Sequence, residues 1–499
     1  MTPDPDALGL TGRISTGPAE VLRAEVLEPQ LRYELRHLLP HYVAVEQVLV
    51  AEYAWLGVLD AAQAAELDLL LGQVTAEGLL ERRGAAMSDL AFALEQEVEA
   101  GLTRPVPAWH VDRSRNDLQA CAQLMFGRQR LRQAAGQLLD FAVAVREVAA
   151  GYVETPMPGY TQHQAAQVVS PGFYLTALGA HVNHTVRRLL ATYDGLDACP
   201  LGAGAMAGQE LPWDRDRMAR LLGFAQAGGD ALSSVASRSW AVESTAELST
   251  FGVGLSRFFT DLLTWSGAGY SFVDLPDELA GISSAMPQKR NFPVLERIRG
   301  RCAHLSSLHV DVVLGQRNTP FANTVEVSKE AGAHVGTAFA TLSSVLRLGT
   351  AVFRGLRFDS DRMRAACDRE FLGGFALANA LCLAEGVPWR TAQVIAGRYI
   401  VGAMAAGRPP ADVDPALLSA VSASAGCRLA DPATILAGVF DTDVLLRRSR
   451  SAGSAHPDEV RAVLAGHAQQ EGELRQQWER RAALSHPAPS GSREESMSR

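Results

Sequence analysis

A short segment near the middle of the chain concentrates side chains that can take up a proton and stabilise a negative charge. Residues 281–291 read Gly-Ile-Ser-Ser-Ala-Met-Pro-Gln-Lys-Arg-Asn and follow the loop-forming segment 275–277. A serine acts as a base only if its alkoxide is stabilised, and both Lys289 and the N–H groups of a glycine-containing loop can stabilise it. The segment therefore predicts proton abstraction by a serine.

A second segment, residues 110–117, reads His-Val-Asp-Arg-Ser-Arg-Asn-Asp. Its arginines, serine and asparagine are hydrogen-bond donors that suit a carboxylate. The same residues also fit a charged helix start in which Ser114 or Asp117 is the N-cap. Taken alone, the segment leaves both interpretations open.

Helices are the elements that must position these segments. Aromatic residues make up only 7% of the chain, while Ala and Leu are abundant, which favours helix over sheet. Strand-like alternation is nearly absent, and several predicted helices are long enough to suit a bundle that associates with others. Apolar side chains recur at helical spacing between residues 243 and 265 and in the segments 41–70, 118–150, 172–194, 293–315 and 328–354.

Length and composition restrict the class of protein. A chain of 499 residues implies two or three domains, and 47% hydrophobic with 20% charged residues is a globular balance. A net charge of −9 argues against binding to nucleic-acid phosphates. There is no apolar run long enough to cross a bilayer, and the six scattered cysteines lack metal-binding spacing. We expect a cytoplasmic protein with no membrane or nucleic-acid partner.

Several blocks of the sequence resemble one known family. Segment 281–291 resembles the signature loop G-S-S-x-M-P-x-K-x-N of the fumarase/aspartase superfamily, whose lyases split C–N or C–O bonds and release fumarate. Segments 110–117, 158–167, 200–208 and 385–390 resemble blocks of its argininosuccinate lyase branch. The chain is identified as a divergent member of that branch.

The resemblance implies an all-α subunit with three domains. The expected boundaries are an N-terminal helical domain at 1–108, a central long-helix bundle at 109–357 and a C-terminal helical domain at 358–484. The signature loop spans 277–292 in the central domain, and a disordered tail is expected at 485–499. The central helices of four copies would form a homotetramer, with each active site built from blocks of three subunits.

The resemblance also implies roles for individual residues. Ser283 would remove the Cβ proton of a succinyl substrate, and Lys289 and Asn291 would stabilise the aci-carboxylate that forms. Glu296 matches an acidic partner further along the family pattern. The substrate-binding positions would be Ser114, Arg115, Asn116, Thr161, Arg238 and Lys329, the last acting from another subunit. No metal or organic cofactor is implied.

The chain departs from the family pattern where the leaving group would bind. Gln162 occupies the place of a histidine favoured as an acid/base or orienting group, and glutamine cannot carry a proton near neutral pH. His163 follows it; it either takes over that role or fills the neighbouring leucine's place without chemistry. Phe321 and Glu326 replace a tyrosine and a glutamine that would bind the amino-acid end of argininosuccinate.

These residues predict a lyase that cleaves or forms a C–N bond of an N-substituted aspartate or related succinyl compound and releases fumarate. We expect a substrate other than argininosuccinate, because lost hydrogen-bond partners strongly reduce selectivity. A good leaving group, such as nitrite from nitrosuccinate, would fit the missing histidine. Two further interpretations stay open, an ordinary argininosuccinate lyase of arginine biosynthesis and a catalytically silent structural paralogue.

Overall fold

The computed structural model describes residues 17–81 and 89–484. Within these residues the fold is mostly helical, as predicted, and the strands are short. The predicted tail at 485–499 lies outside the described residues. The helices are α1 Glu20–Leu22, α2 Glu28–His37, α3 Leu39–Trp55, α4 Ala61–Gln73, α5 Ala76–Glu81, α6 Leu90–Gly101, α7 Arg115–Gly151, α8 Pro171–Gly195, α9 Arg215–Leu221, α10 Ala231–Ala236, α11 Ser239–Ser266, α12 Pro293–Gln316, α13 Val335–Gly355, α14 Ser360–Arg369, α15 Gly374–Glu385, α16 Trp389–Ala405, α17 Pro415–Ser424, α18 Pro432–Leu436, α19 Thr442–Leu446 and α20 Pro457–Leu484.

Within the part of the chain that the structure describes, four two-stranded sheets accompany the helices. Their strands are β1 Met157–Thr161, β2 Gln164–Val169, β3 Ala198–Cys199, β4 Gln226–Ala227, β5 Val273–Asp274, β6 Gly281–Ile282, β7 Arg290–Asn291 and β8 Arg357–Phe358. The pairs β1–β2, β5–β8 and β6–β7 are antiparallel, and β3–β4 is parallel. Two of these pairs carry segments of the predicted site: β1–β2 and β6–β7.

The long helices form the main bundle because each buries an apolar stripe. In α11 the predicted periodic residues Leu248, Phe251 and Leu255 are all buried. Helices α11 and α12 pack against each other most extensively, and Gly252 permits this, since a Cβ there would lie 3.1 Å from the carbonyl oxygen of Cys302. The helical period thus correctly predicted α11.

Two predictions about local structure need correction. The segment 41–70 is not one helix: it breaks between α3 and α4, where Gly57 adopts a φ of 71° and Asp60 forms a capping box with Gln63. The β1–β2 hairpin was not predicted, because its strands contain Pro158 and show no clean alternation of apolar and polar residues.

The described residues form one large hydrophobic core, one smaller core and a cluster of four buried residues, Val168, Cys367, Leu372 and Leu446. The large core combines the N-terminal and central helices, and it also includes Leu474 and Trp478 of α20, which packs back onto α7 and α8. The smaller core lies within residues 376–440 and is centred on Leu377, Leu381 and Ile395. The domain boundaries expected from the sequence stay a prediction.

One helical stretch, Glu326–Gly355, is long and apolar enough to cross a membrane, although no such run was expected from the sequence. Half of its most apolar window is buried inside the fold. Leu342 and Val345, for example, are fully buried in the large core. The apolar face of this stretch is therefore accounted for by packing within the chain.

Candidate active site

The segment predicted to bind a carboxylate forms the start of the longest helix, α7. Ser114 is its N-cap and accepts a hydrogen bond from the N–H of Asn116 at 3.1 Å. The side chain of Asn116 donates to the carbonyl of Ala205 at 3.0 Å. Arg115 is half exposed and pairs with Asp89 at 2.8 Å, with its guanidinium over the ring of Phe92. The helix-start interpretation is confirmed, with Ser114 as the N-cap, while binding of a carboxylate by this segment stays a prediction.

Asp117 joins this helix start to a glycine-rich loop. Its Oδ2 atom accepts hydrogen bonds from the N–H groups of Gly202 and Gly204, both at 3.0 Å, and Oδ1 accepts one from Leu118. Both glycines adopt positive φ angles, which suits residues without a Cβ. Burial raises the pKa of Asp117 to about 6, in spite of these hydrogen bonds. No role in the site was predicted for Asp117, although the 200–208 block that it contacts resembles the family pattern.

Gln162 and His163 are the two central residues of the β1–β2 hairpin. Thr161 pairs with Gln164 across the turn, and Gln162 and His163 have φ angles of 53° and 61°. Two consecutive positive φ angles in a two-residue loop define a type I′ turn, which usually contains Asn or Gly. All three predicted residues, Thr161, Gln162 and His163, are exposed in the single chain.

The signature loop is a second hairpin, with β6 and β7 as its strands. Ser283 lies just after β6, and its Oγ accepts a hydrogen bond from the N–H of Met286 at 3.1 Å. Lys289 is exposed, while Asn291 is half buried in β7. Arg290 fixes the base of the loop through ion pairs with Asp274 and Asp277. The loop is therefore held at its base and projects its chemical groups outward.

Glu296 lies directly after the signature loop, in the first turn of α12. Its side chain is exposed. The partial positive charge of a helix N-terminus favours a carboxylate at this position. Among the described residues, Glu296 forms no hydrogen bond or ion pair with the other predicted site residues.

Arg238 is buried just before α11, and its hydrogen-bond partners among the described residues are all neutral. Its Nε donates to Gln123 at 2.8 Å, and Nη2 donates to Asn323 at 3.1 Å. Nη1 donates to the carbonyls of Val235 and Ser237, both at 2.8 Å. Burial lowers the pKa of Arg238 to about 10. The side chain therefore carries a desolvated charge and has one N–H of Nη2 left for a ligand.

Lys329 lies in a π-helical turn, Glu326–Glu330, and forms an ion pair with the buried Glu34 of α2. Glu34 also accepts hydrogen bonds from Gln30 and from the N–H of Leu90. Glu326 at the start of this turn is exposed, and Phe321 is 63% exposed. Within this block, Lys329 is therefore paired with a buried carboxylate, while Glu326 and Phe321 face solvent in the single chain.

Hydrogen bonds of the described residues connect some predicted blocks and leave others apart. They join Asn116 to the 202–208 loop, and Arg238 to Asn323 in the block that contains Lys329. The hydrogen bonds of loop 281–291 stay within the loop or reach only residues 274–277. Within 17–81 and 89–484, no cluster of three or more His, Cys, Asp or Glu side chains is arranged to hold a metal ion.

Solved structures share this fold along nearly the whole chain. EDDS lyase in complex with formate aligns with a TM-score of 0.84, covering 98% of this chain and 97% of that one, at 23% identity. A fumarate lyase from Mesorhizobium sp. BNC1 aligns with a TM-score of 0.69 over 88% of this chain and 97% of that one, at 17% identity. The fold is that of the fumarase/aspartase superfamily.

Sequence relatives identify the branch. A family model described as lyase (Lyase_1) matches residues 93–306. Argininosuccinate lyase of Synechococcus sp. (strain JA-3-3Ab) is 31% identical over 378 residues, or 74% of this chain and 76% of the relative. Argininosuccinate lyase of Methanothermobacter thermautotrophicus is 29% identical over 76% of this chain and 81% of the relative. The chain belongs to the argininosuccinate lyase branch of the fumarase/aspartase superfamily and is a carbon–nitrogen lyase.

Proposed function

We propose that this lyase cleaves, or forms in reverse, the C–N bond of an N-substituted aspartate and releases fumarate, with Ser283 as the base. The observation that carries the proposal is the signature hairpin, which is held at its base by Arg290 and keeps the half-buried Ser283 and the exposed Lys289 outside the hydrophobic core. Polar side chains that do not pack in the core are suited to contact a ligand.

The chemistry follows from the groups in the loop. The alkoxide of Ser283 takes the Cβ proton, and the electron pair left behind forms an aci-carboxylate. Lys289 and Asn291 stabilise that charge by ion pairing and hydrogen bonding. The electron pair of the aci-carboxylate then forms the Cα–Cβ double bond of fumarate while the Cα–N bond breaks. The electron pair of that bond goes to nitrogen, and the amine takes its proton from water. The helix start at Ser114, Arg115 and Asn116 would hold the substrate carboxylates.

The amine half would differ from arginine. Phe321 has no hydroxyl, and Glu326 carries a negative charge where the family pattern has a neutral amide. Gln162 cannot donate a proton to the leaving nitrogen at neutral pH. This last point also favours a second candidate, a nitrosuccinate-type substrate, because a leaving group as stable as nitrite needs no general acid.

A complete site would need several copies of the chain. The signature loop, the 161–163 turn and the α7 start present exposed groups in separate parts of one subunit. A homotetramer that joins these blocks from three subunits would assemble Ser283 with the carboxylate-binding residues. We place this assembly in the cytoplasm, in keeping with six free cysteines.

The test is to incubate the purified protein with argininosuccinate and, separately, with fumarate plus a panel of amines or nitrite, while following fumarate. Consumption of fumarate with a non-arginine partner supports the proposal. Arginine release from argininosuccinate at a normal enzymatic rate would show an ordinary argininosuccinate lyase. No turnover of any succinyl compound, together with identical ligand binding by wild type and Ser283→Ala, would instead indicate a structural paralogue.

A further inference from the structure

A cavity of about 350 Å³ lies where helices α2, α7 and α13 meet. Two arginines, Arg130 of α7 and Arg347 of α13, line it together with a histidine, four neutral polar residues and several small or aromatic residues. We call it the Arg130–Arg347 cavity. Its volume is in the range of small-molecule sites.

The lining carries positive charge that the chain does not balance. Arg347 is exposed and forms no hydrogen bond or ion pair within residues 17–81 and 89–484. Arg130 is half buried, donates to the amide oxygen of Gln133 at 3.0 Å and lies over the ring of Phe126. No carboxylate is among the described residues that line the cavity. An anion in this cavity would therefore meet two guanidinium groups that have no counter-ion.

His37 of α2, which also lines the cavity, does not offset this charge. Burial lowers the pKa of its imidazole, and the positive charges of Arg130 and Arg36 lower it further. The histidine is therefore neutral near pH 7. That two arginines act on it in the same direction indicates a positive potential on this side of the cavity.

Contacts between helices hold the polar walls in place. Gln137 Nε2 donates to Ser343 Oγ at 2.9 Å and so joins α7 to α13. Arg301 of α12 donates to Ser344 Oγ at 2.6 Å and fixes α13 from its other neighbour. Gln137, Ser343 and Ser344 all line the cavity. Polar groups that are ordered before a ligand arrives reduce the entropy cost of binding it.

The arrangement of the polar groups favours phosphate over carboxylate. A carboxylate is planar and has two oxygens, which a single arginine can satisfy. A phosphate is tetrahedral and offers three or more acceptor oxygens, so it suits polar groups that converge from several helices. Beside these groups, Phe339 and Ala134 provide apolar lining that an organic substituent on the phosphate can contact.

The cavity is distant from the proposed succinyl site on the same chain. Asn116 and Arg130 are fourteen residues apart on the continuous helix α7, which corresponds to about 21 Å along the axis. None of the described lining residues is one of the residues predicted for the active site. A ligand in the cavity is therefore not part of the substrate held at the start of α7.

We propose that the Arg130–Arg347 cavity binds a small ligand with a phosphate group, at a site separate from the one that cleaves the C–N bond. The phosphate oxygens pair with Arg130 and Arg347 and accept hydrogen bonds from neutral donors such as Gln133. Free phosphate and a phosphate ester share this chemistry. The inference does not depend on which succinyl compound the lyase uses.

The test measures binding of inorganic phosphate, phenyl phosphate and phenol to the purified full chain by calorimetry. We expect both phosphates to bind and phenol not to bind. Arg347→Gln and Arg130→Gln should each raise the Kd for phosphate at least tenfold, because each removes a charged donor. Arg354→Gln is the matched control, an exposed arginine seven residues further along α13 and outside the cavity lining, and should bind phosphate like wild type.

The two phosphates distinguish the sources of the ligand. Tighter binding of phenyl phosphate than of inorganic phosphate supports a phosphate ester that uses the apolar lining. Equal or weaker binding of phenyl phosphate supports free phosphate as the ligand.

Three results would overturn the inference. The first is no binding of either phosphate, and the second is a Kd that changes equally in Arg347→Gln and Arg354→Gln or in neither. The third is malonate, a planar dianion, that binds as tightly as phosphate and is weakened equally by Arg347→Gln. Because the readout is binding and not turnover, each of these results leaves the proposed lyase function untouched.

Discussion

At the scale of single residues, the most informative contact is the hydrogen bond that Ser283 Oγ accepts from the N–H of Met286. A donor aimed at the serine oxygen favours its charged form over its neutral form. The nearby Lys289 acts in the same direction. The loop that carries the serine therefore also supplies part of what a serine needs to act as a base.

Replacing Ser283 with Ala should reduce kcat for fumarate release by about 10²–10⁴-fold, the usual contribution of a positioned acid or base. Ser284→Ala is the matched control, because it removes the same group from the adjacent position. Steady-state kinetics of both variants give the comparison, and calorimetric binding of fumarate checks that each still binds ligand. Equal losses in the two variants would contradict the role given to Ser283.

The buried carboxyl of Asp117 makes a prediction about pH. Its pKa is about 6 in the folded chain and 3.8 ordinarily, so the folded state binds its proton more tightly. Asp117 therefore contributes to the unfolding free energy when it is protonated. This contribution is complete below pH about 4 and is lost as the pH rises through about 6. Across that range the unfolding free energy of the wild type should fall by roughly 3 kcal/mol relative to Asp117→Asn.

Denaturant unfolding of both proteins between pH 4 and 7 measures this difference. A constant difference across the range would show that Asp117 does not titrate there. The activity of the wild type should rise with pH over the same range. Protonation of Asp117 weakens the hydrogen bonds that it accepts from Gly202 and Gly204, and these bonds hold the start of α7 against the 202–208 loop.

At the scale of elements, the position of His163 in the turn of the β1–β2 hairpin bears on its role. The positive φ of His163 is a conformation that costs a non-glycine residue roughly 1–2 kcal/mol. His163→Gly relieves that cost and should leave the unfolding free energy unchanged or higher by up to about 1 kcal/mol. His163→Val, β-branched at the same position, should be less stable than wild type.

Thermal unfolding ranks these two variants, and fumarate release tests the chemistry. If His163 only forms the turn, the glycine variant keeps its activity. A loss of activity in a stable His163→Gly protein would instead show that His163 has taken over the role of the family histidine at position 162.

The elements also show what the sequence could and could not predict. Helix α11 was predictable because Leu248, Phe251 and Leu255 recur at one helical period. The hairpin turn at Gln162 and His163 was not, because it lacks the Asn-Gly signal of a type I′ turn. The carboxylate contact of Asp117 with Gly202 joins residues 85 apart in the chain, and no local pattern reports such a contact.

At the scale of the whole molecule, the signature loop, the 161–163 turn and the start of α7 each carry exposed groups in one chain, whereas Arg238 is buried. A homotetramer is the arrangement that we propose to bring them together. Light scattering should give a mass of four times the 53.4 kDa chain. A monomer with full activity would contradict the shared site.

Mixing two inactive variants tests the shared site independently. Ser283→Ala and Asn116→Ala should each strongly reduce fumarate release, while tetramers refolded from an equal mixture should recover part of the activity. Recovery arises because some sites in a mixed tetramer receive both intact residues from different subunits. A mixture as inactive as its components would place both residues in the site of a single chain.

The most direct test of the proposed lyase follows fumarate in two parallel incubations, one with argininosuccinate and one with fumarate plus a panel of amines. We predict consumption of fumarate with a non-arginine amine, lost in Ser283→Ala, and little or no fumarate release from argininosuccinate. Rapid release of fumarate and arginine from argininosuccinate, with no other amine consumed, would contradict this prediction.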